Sequence, residues 1–184
     1  DNRRVPFSNR ERHKSLILEQ GIISFETSSM PKIAGCAIPL FSLRSRRSCG
    51  IGDFADLKLL IDWAAKSGQR IIQLLPVNDT TSTNGWADSY PYNCISVFAL
   101  HPIYMNLDEL GELREPKSLK EFRRDQKRVN NDYFLNYPDV WSLKTGYCKA
   151  LYKERKGETF AEPGFYTFTK ENGEWLYPYA AFCT

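Results

Sequence analysis

The hydrophobic pattern is most informative where an apolar run over residues 71–75 precedes a polar loop. Pro76 ends this run, and a second apolar stretch begins at Ile95. Residues that are apolar at successive positions are typical of a strand buried on both faces, as in a parallel sheet. The pattern therefore predicts a buried parallel strand whose carboxyl end opens into the polar loop, which is where α/β proteins place their ligands.

A strand and a helix are predicted before this run. Residues 35–40, GCAIPL, predict a short buried strand, and the following GDFADLKLLIDWAAKSG predicts a helix. Asp53 is the expected N-cap, because its carboxylate can accept from free N–H groups of the first turn, and Gly68 is the expected end. This order predicts a βαβ unit with parallel strands and a right-handed crossover. The predicted apolar stripe of the helix comprises Phe54, Leu57, Leu60, Ile61 and Ala64.

The second half of the chain predicts helices. Residues 108–128 are strongly charged, with basic side chains among acids, which is typical of a solvated helix face rather than a nucleic-acid patch. Residues 138–155 predict another helix, Pro163 and Gly164 predict a break, and residues 174–182 predict the start of a further helix. The expected apolar anchors are Leu110, Leu113, Leu119 and Phe122 in the charged segment, and Val140, Leu143, Tyr147, Leu151 and Tyr152 in the next.

Residues 1–33 are polar and irregular, and they predict a leader or linker. Two short apolar groups, at 16–18 and 22–23, could form a strand or a helical turn. A linker or edge segment is favoured over a binding arm. The diffuse basic residues of this leader are Arg3, Arg4, Arg10, Arg12 and Lys14.

Composition narrows the class of protein. The 184 residues are 42% hydrophobic and 26% charged, as in ordinary soluble globular domains, and the net charge of +3 does not argue for nucleic acid. No stretch approaches the roughly 20 apolar residues that span a bilayer, so no membrane partner is expected. The five scattered cysteines form no CxxC pair, and the two histidines are far apart, which argues against a metal site. Reduced thiols favour a cytoplasmic location.

A glycine motif invites a nucleotide hypothesis. Residues 50–55 match GxGxxA between a predicted strand and a predicted helix. About ten residues separate the strand from Gly50, whereas the dinucleotide turn is tight. Asp53 would place a negative charge where a pyrophosphate should bind. The glycines are therefore expected to permit a turn and a close approach to a neighbour, although a nucleotide-dependent enzyme stays open as an alternative.

The polar loop has the composition of a sugar site. Flat aromatic rings can stack on a pyranose, and carboxylate, hydroxyl and amide groups can bond its hydroxyls. The alternative is that Tyr90-Pro91-Tyr92 merely packs the loop, and chemistry alone favours neither reading. Glycosyl transfer needs two carboxylates, but nothing in the sequence shows that Asp79 and Asp88 are such a pair. The candidate sugar-binding residues of the loop are Asn78, Trp86, Asp88, Ser89, Tyr90, Tyr92 and Asn93.

A family resemblance becomes specific at these residues. The motifs cover residues 34–184 and follow one another in the order of the 4-α-glucanotransferases, the amylomaltase or disproportionating-enzyme family (glycoside hydrolase family 77). The segments LPVNDTT and FALHPIY most resemble the sequences of the branch that includes the plant cytosolic enzyme. The motifs are Gly50-Ile51-Gly52-Asp53-Phe54, Gln73-Leu74-Leu75-Pro76, Asp88-Ser89-Tyr90-Pro91-Tyr92, Ser96-Val97-Phe98-Ala99, His101-Pro102-Ile103-Tyr104, and Trp175-Leu176 with Tyr179-Ala180 and Phe182.

The resemblance implies an α/β fold, a (β/α)₈ TIM barrel. Such a barrel takes roughly 250 residues and eight strands, whereas this chain predicts two or three strands. The chain begins with Asp1 rather than Met. Residues 34–184 are therefore expected to be the N-terminal portion of the barrel, its first βα units plus a helical insertion, behind the leader of residues 1–33. The family's catalytic carboxylates lie in later barrel segments, and no residue here is assigned as catalytic.

The resemblance also indicates which residues bind substrate. The segment from Asp88 to Tyr92 resembles the family's Asp-Ser-Pro-Tyr element, which lines the sugar subsites. Tyr90 is an extra residue between Ser89 and the proline, so Tyr92 is the counterpart of the subsite tyrosine. The predicted substrate-binding residues are Asp88, Ser89, Tyr92, Trp86 and Asn78.

By the same resemblance, the parent protein is expected to transfer α-1,4-glucosyl units between malto-oligosaccharides and glucan acceptors. The expected mechanism is a retaining double displacement without metal or organic cofactor. The isolated chain is expected to be inactive and to self-associate through an unpaired sheet edge and apolar helix faces. The alternative is a stand-alone carbohydrate-binding or regulatory module without catalysis.

Overall fold

A computed structural model describes residues 33–184 and, as backbone only, two earlier strands, β1 (Leu16–Glu19) and β2 (Ile22–Phe25). The basic residues of the leader lie outside the described residues. Backbone contacts divide the chain into two units, Asp1–Ala34 and Gly35–Thr184. In the first unit, β1 and β2 pair antiparallel, so both apolar groups of the leader form strands rather than helical turns.

The second unit begins with the predicted strand–helix–strand order. It consists of β3 (Gly35–Ile38), α1 (Phe54–Lys66) and β4 (Ile71–Leu74). The two strands pair in parallel, with Gly35 opposite Ile71, as the pattern predicts. β3 is shorter than predicted, because the chain turns at Pro39 into a 3₁₀ turn over Leu40–Ser42.

The prediction that β4 is buried on both faces is wrong. Its side chains alternate between exposed and half-buried, and Ile71 is 46% exposed. Successive side chains of a strand point to opposite faces of a sheet, and only one face of this two-stranded sheet is partly covered. The second apolar stretch, from Ile95, forms no strand in the described structure; an isolated bridge joins Asn78 and Leu100 there.

Helix α1 begins as predicted. The Asp53 carboxylate accepts from the backbone N–H groups of Ala55 (2.8 Å) and Asp56 (3.1 Å), and the Asp56 carboxylate accepts from the Asp53 N–H, which completes a capping box. Gly68, beyond the last turn, has φ +76°. The predicted apolar stripe is wrong at Ile61, which is half-exposed.

Four helices follow: α2 (Leu107–Leu110), α3 (Pro116–Asn131), α4 (Tyr137–Ala161) and α5 (Pro163–Phe182). The charged segment is thus two helices rather than one, because Gly111 ends α2 with φ +110°. The break at Pro163 is confirmed. α5 begins there and not near residue 174, since proline is favourable at the first helical position.

Some charges of α3 are paired within the chain, and Lys117, Lys120, Glu121 and Lys127 are exposed, as predicted for a solvated face. Arg123 contacts Asp108 at 2.7 Å and Glu112 at 3.1 Å, and Arg128 contacts Asp139 at 3.2 Å. Of the predicted anchors, Leu110 and Tyr152 are exposed instead. The buried core of the second unit comprises Leu40, Cys49, Ile51, Ile103, Tyr104, Leu107, Leu113, Phe122, Val129, Tyr137, Val140, Tyr147 and Leu151.

The fold of the described residues is therefore helix-rich with a small parallel sheet, compatible with part of an α/β domain. The eight-stranded barrel stays a prediction. Among these residues, no helix is both long and apolar enough to cross a bilayer.

Candidate functional site

The predicted sugar loop borders a cavity of about 150 Å³ within the second unit. Four of the five predicted substrate-binding residues line it, and Tyr92 does not. The rest of the wall is mainly apolar and aromatic, as is usual for small-molecule pockets. The lining residues are Phe41, Ile51, Pro76, Asn78, Thr80, Trp86, Asp88, Ser89, Pro91, Tyr104, Leu135 and Tyr137.

Asp88 organises the loop. Its buried carboxylate accepts from the Ser82 hydroxyl and from both the N–H and the hydroxyl of Thr83, each at 3.0 Å. The Thr80 hydroxyl donates to the Asp88 carbonyl oxygen at 2.5 Å. The loop is thus closed on itself by short polar side chains, which explains why it folds without regular structure.

The same donors keep Asp88 ionised. Burial acts to raise the pKa of Asp88, but the hydrogen bonds from Thr83 and Ser82 outweigh burial and hold this pKa below its ordinary value. Asp88 therefore presents a fixed negative charge at the wall of the cavity.

The other predicted residues hold different positions. Trp86 is 57% exposed at the cavity, with its ring centre 6.4 Å from that of Tyr137. The Ser89 hydroxyl donates to the Trp86 carbonyl oxygen (2.7 Å), and the Asn78 amide donates to the Val97 carbonyl oxygen (2.9 Å). Tyr92 is exposed outside the cavity lining, with its ring 5.5 Å from Tyr90.

The second acid of the loop, Asp79, is also buried and bound by protein donors. It accepts from the N–H of Thr81 at 2.9 Å, from the Thr81 hydroxyl at 2.6 Å and from the Tyr179 hydroxyl at 2.5 Å. This last contact ties α5 to the loop. In the described structure, Asp79 and Asp88 both hold the loop together.

Sequence reasoning missed His101 and Tyr137. His101 is buried; its Nδ1 accepts from the Ile103 N–H (3.2 Å), and its Nε2 lies 2.9 Å from the Tyr137 hydroxyl oxygen. In the sequence, His101 is marked only by its place in the motif of residues 101–104, and Tyr137 lies 36 residues further along the chain. No local pattern could have paired them.

The protonation of His101 follows from its contacts. Burial lowers its pKa, Asp79 and Asp88 oppose this shift, and Lys144 adds to it, with a lowered pKa as the result. Asp79 lies 3.7 Å from Nδ1, beyond hydrogen-bond range, and Nδ1 already accepts a backbone N–H. The ring is therefore neutral, with its proton on Nε2.

This neutral histidine predicts a loss of stability on acidification. Its pKa is lower in the folded chain than its ordinary 6.5, so the unfolded chain binds more protons as the pH falls below about 6.5. The free energy of unfolding is expected to fall with a slope of up to about 1.4 kcal/mol per pH unit. Urea unfolding between pH 8 and pH 5 measures this slope. In His101→Gln the slope should vanish, and an unchanged slope would assign it to other groups.

The glycine loop has the geometry of a structural turn. Gly50 has φ +75°, and a Cβ there would lie 2.8 Å from a methyl group of Val140. A Cβ on Gly52 would lie 2.1 Å from the carbonyl oxygen of Leu40. Asp53 directly caps α1 and places a negative charge where a pyrophosphate would bind. The turn and the close packing therefore explain both glycines.

Comparisons with known proteins agree on one family. A family model described as 4-alpha-glucanotransferase matches residues 38–184. The "4-alpha-glucanotransferase DPE2" of Oryza sativa subsp. japonica is 42% identical over 150 residues, which cover 82% of this chain and 16% of the rice protein. The "4-alpha-glucanotransferase" of Chlamydia muridarum is 35% identical, covering 82% of this chain and 28% of that protein. The chain thus spans less than a third of the length of these relatives.

Proposed function

The chain belongs to the 4-alpha-glucanotransferase family, and on that premise we propose that the natural protein transfers α-1,4-glucosyl units between malto-oligosaccharides and glucan acceptors. The family match over residues 38–184 carries this proposal. The loop-lined cavity supports it, because aromatic, amide, hydroxyl and carboxylate groups converge there.

The proposed mechanism is a retaining double displacement without metal or organic cofactor. Residues 34–184 contribute the first units of a (β/α)₈ barrel and part of the sugar-binding rim, and residues 1–33 form a leader. The isolated chain is expected to be inactive and to associate through its uncovered sheet edge and helix faces. All five cysteines are free thiols in the structure, which supports a cytoplasmic location.

The cavity is proposed to hold one sugar ring of a longer glucan. Its volume of about 150 Å³ is small beside the roughly 300–1,000 Å³ of pockets for drug-sized ligands. Trp86 offers a partly exposed ring for stacking, and Asp88 offers an ionised carboxylate for hydroxyl groups. Ser89 and Asn78 add polar atoms at the wall, and Tyr92 would meet a neighbouring ring outside the cavity.

Trp86→Ala is expected to weaken the binding of malto-oligosaccharides by the full-length natural protein about tenfold, or about 1.4 kcal/mol. The reason is the loss of an apolar ring against the sugar face, and Trp86→Phe should retain most of the affinity. Initial-rate KM values measure the effect. Tyr133→Ala is the control, because this tyrosine is 91% exposed and does not line the cavity. Equal KM values for Trp86→Ala and the control would remove Trp86 from the proposed site.

The function itself is tested with the full-length natural protein, maltose and glycogen. Release of glucose together with lengthening of the glycogen chains is expected. Sugar binding without glucose release would instead favour the second candidate, a carbohydrate-binding or regulatory module. That candidate draws on the finding that Asp79 and Asp88 are both engaged by protein donors.

A further inference from the structure

The Tyr137 hydroxyl is buried at the wall of the cavity with one hydrogen bond from the protein. Tyr137 begins α4, lines the cavity and is 3% exposed. Its hydroxyl oxygen lies 2.9 Å from Nε2 of His101, and this is its only hydrogen bond among the residues that the structure describes. Buried polar groups nearly always have hydrogen-bond partners, so we ask which group accepts the hydroxyl hydrogen of Tyr137.

The direction of that hydrogen bond is decided by the histidine. Nδ1 of His101 accepts from the Ile103 N–H, so a neutral ring must carry its proton on Nε2. Nε2 therefore donates, and the Tyr137 oxygen accepts. The hydroxyl hydrogen of Tyr137 is left free to be donated to another group.

The cavity wall indicates what that acceptor is. Asp88 lines the same cavity, and its Oδ2 accepts one hydrogen bond, from the Thr83 N–H at 3.1 Å, in the described part of the chain. A sugar hydroxyl suits this pair of groups, because it can accept from a tyrosine and donate to a carboxylate at the same time.

Resting on the proposed function, we propose that Tyr137 is a specificity-determining residue that donates a hydrogen bond to one hydroxyl of the bound glucosyl unit. His101 is its positioning residue, since it occupies the oxygen of Tyr137 and directs the hydrogen towards the cavity. Tyr104 lines the same cavity, but no hydrogen bond of the described structure fixes its hydroxyl.

The test compares maltose with a set of its monodeoxy derivatives, each lacking one hydroxyl, as competing ligands in initial-rate assays of the full-length natural protein. One derivative is expected to bind the wild-type protein about tenfold more weakly than maltose, because its site loses a hydrogen-bond partner. Tyr137→Phe should bind maltose about tenfold more weakly and should no longer distinguish it from that derivative. A merely structural tyrosine would lower the affinity for both sugars and leave their ratio unchanged.

Tyr147→Phe is the matched control. Tyr147 is a buried tyrosine of the same helix, and its hydroxyl donates to the Gly111 carbonyl oxygen at 2.6 Å, away from the cavity lining. This variant should keep the full discrimination. His101→Gln, which retains an N–H donor, should keep more of the discrimination than His101→Leu.

The outcomes separate this inference from the function on which it rests. Wild-type protein that neither binds maltose nor releases glucose would remove the proposed function and this inference with it. Wild-type protein that is active, while Tyr137→Phe discriminates as strongly as wild type, would overturn the role of Tyr137 alone. Equal discrimination in His101→Gln and His101→Leu would overturn the positioning role of His101.

Discussion

Lys144→Ala is expected to lower the free energy of unfolding of the 184-residue chain by about 3–5 kcal/mol. Lys144 lies in α4 and is only 2% exposed. Its ammonium group donates to the carbonyl oxygens of Ile103 (2.5 Å) and Met105 (2.8 Å). The alanine variant would leave one buried and one partly buried carbonyl group without this partner, and a cavity where the aliphatic stem had packed.

The expected loss is large because a domain of this size is stabilised by only about 5–15 kcal/mol. Burial lowers the pKa of Lys144, and nearby Cys49 and Asp53 oppose that shift. The two carbonyl contacts hold the segment that carries His101 and Tyr104 against α4. The variant should therefore also weaken the Tyr137 contact at the cavity.

Urea unfolding at neutral pH, followed by circular dichroism at one fixed protein concentration, measures the effect. Lys153→Ala is the control, because Lys153 is exposed on the same helix and should change stability by less than about 0.5 kcal/mol. Lys144→Met keeps most of the apolar volume and should fall between the two. If Lys144→Ala were no more destabilising than the control, the two carbonyl groups must gain water as a partner.

Gly52→Ala is expected to cost about 3 kcal/mol, near the upper end for overpacking in a core. A Cβ at this position would lie 2.1 Å from the Leu40 carbonyl oxygen and 2.7 Å from the Leu43 Cβ. The obstacle is mainly backbone, which cannot turn aside as a flexible side chain can. The turn would have to open, and this would disturb the capping box at Asp53 and the buried Leu40.

Gly146→Ala is the matched control for this substitution. Gly146 lies inside α4, and a Cβ there would meet no atom within 4 Å apart from its chain neighbours and the backbone of its own helix. Alanine should therefore raise the free energy of unfolding by about 0.5–1 kcal/mol, through helix propensity alone. The same chemical change is thus expected to have opposite signs at the two positions. Stabilisation by both substitutions would show that the loop before α1 relaxes without cost.

Much of the local structure could be predicted from the sequence. The cap at Asp53, the break at Pro163 and the parallel pairing of the strands around α1 all appear as predicted. Each depends on interactions between residues close in sequence, or on the helical crossover that joins two parallel strands. The misplaced start of α5 shows the limit, because apolar spacing marked its second half while the proline alone marked its beginning.

The sequence pattern did not predict which polar side chains are buried. Lys144 follows Leu143 in an ordinary helical pattern, and a lysine in such a pattern is normally exposed. Ile71 was expected to be buried and is not, because burial depends on what covers the sheet. Four of the five predicted sugar-binding residues line one cavity, yet their contact with a glucan stays a proposal.

By itself, then, the sequence determined the family, helix α1 with its cap at Asp53, the break at Pro163, and the polar loop that borders the cavity. These features follow from motifs and from contacts over a few residues. Only the tertiary structure decided which polar side chains meet: His101 with Tyr137, 36 residues apart, and Asp79 with Tyr179, 100 residues apart. Pairings at such separations depend on how α4 and α5 pack against the loop, and no local pattern encodes that packing.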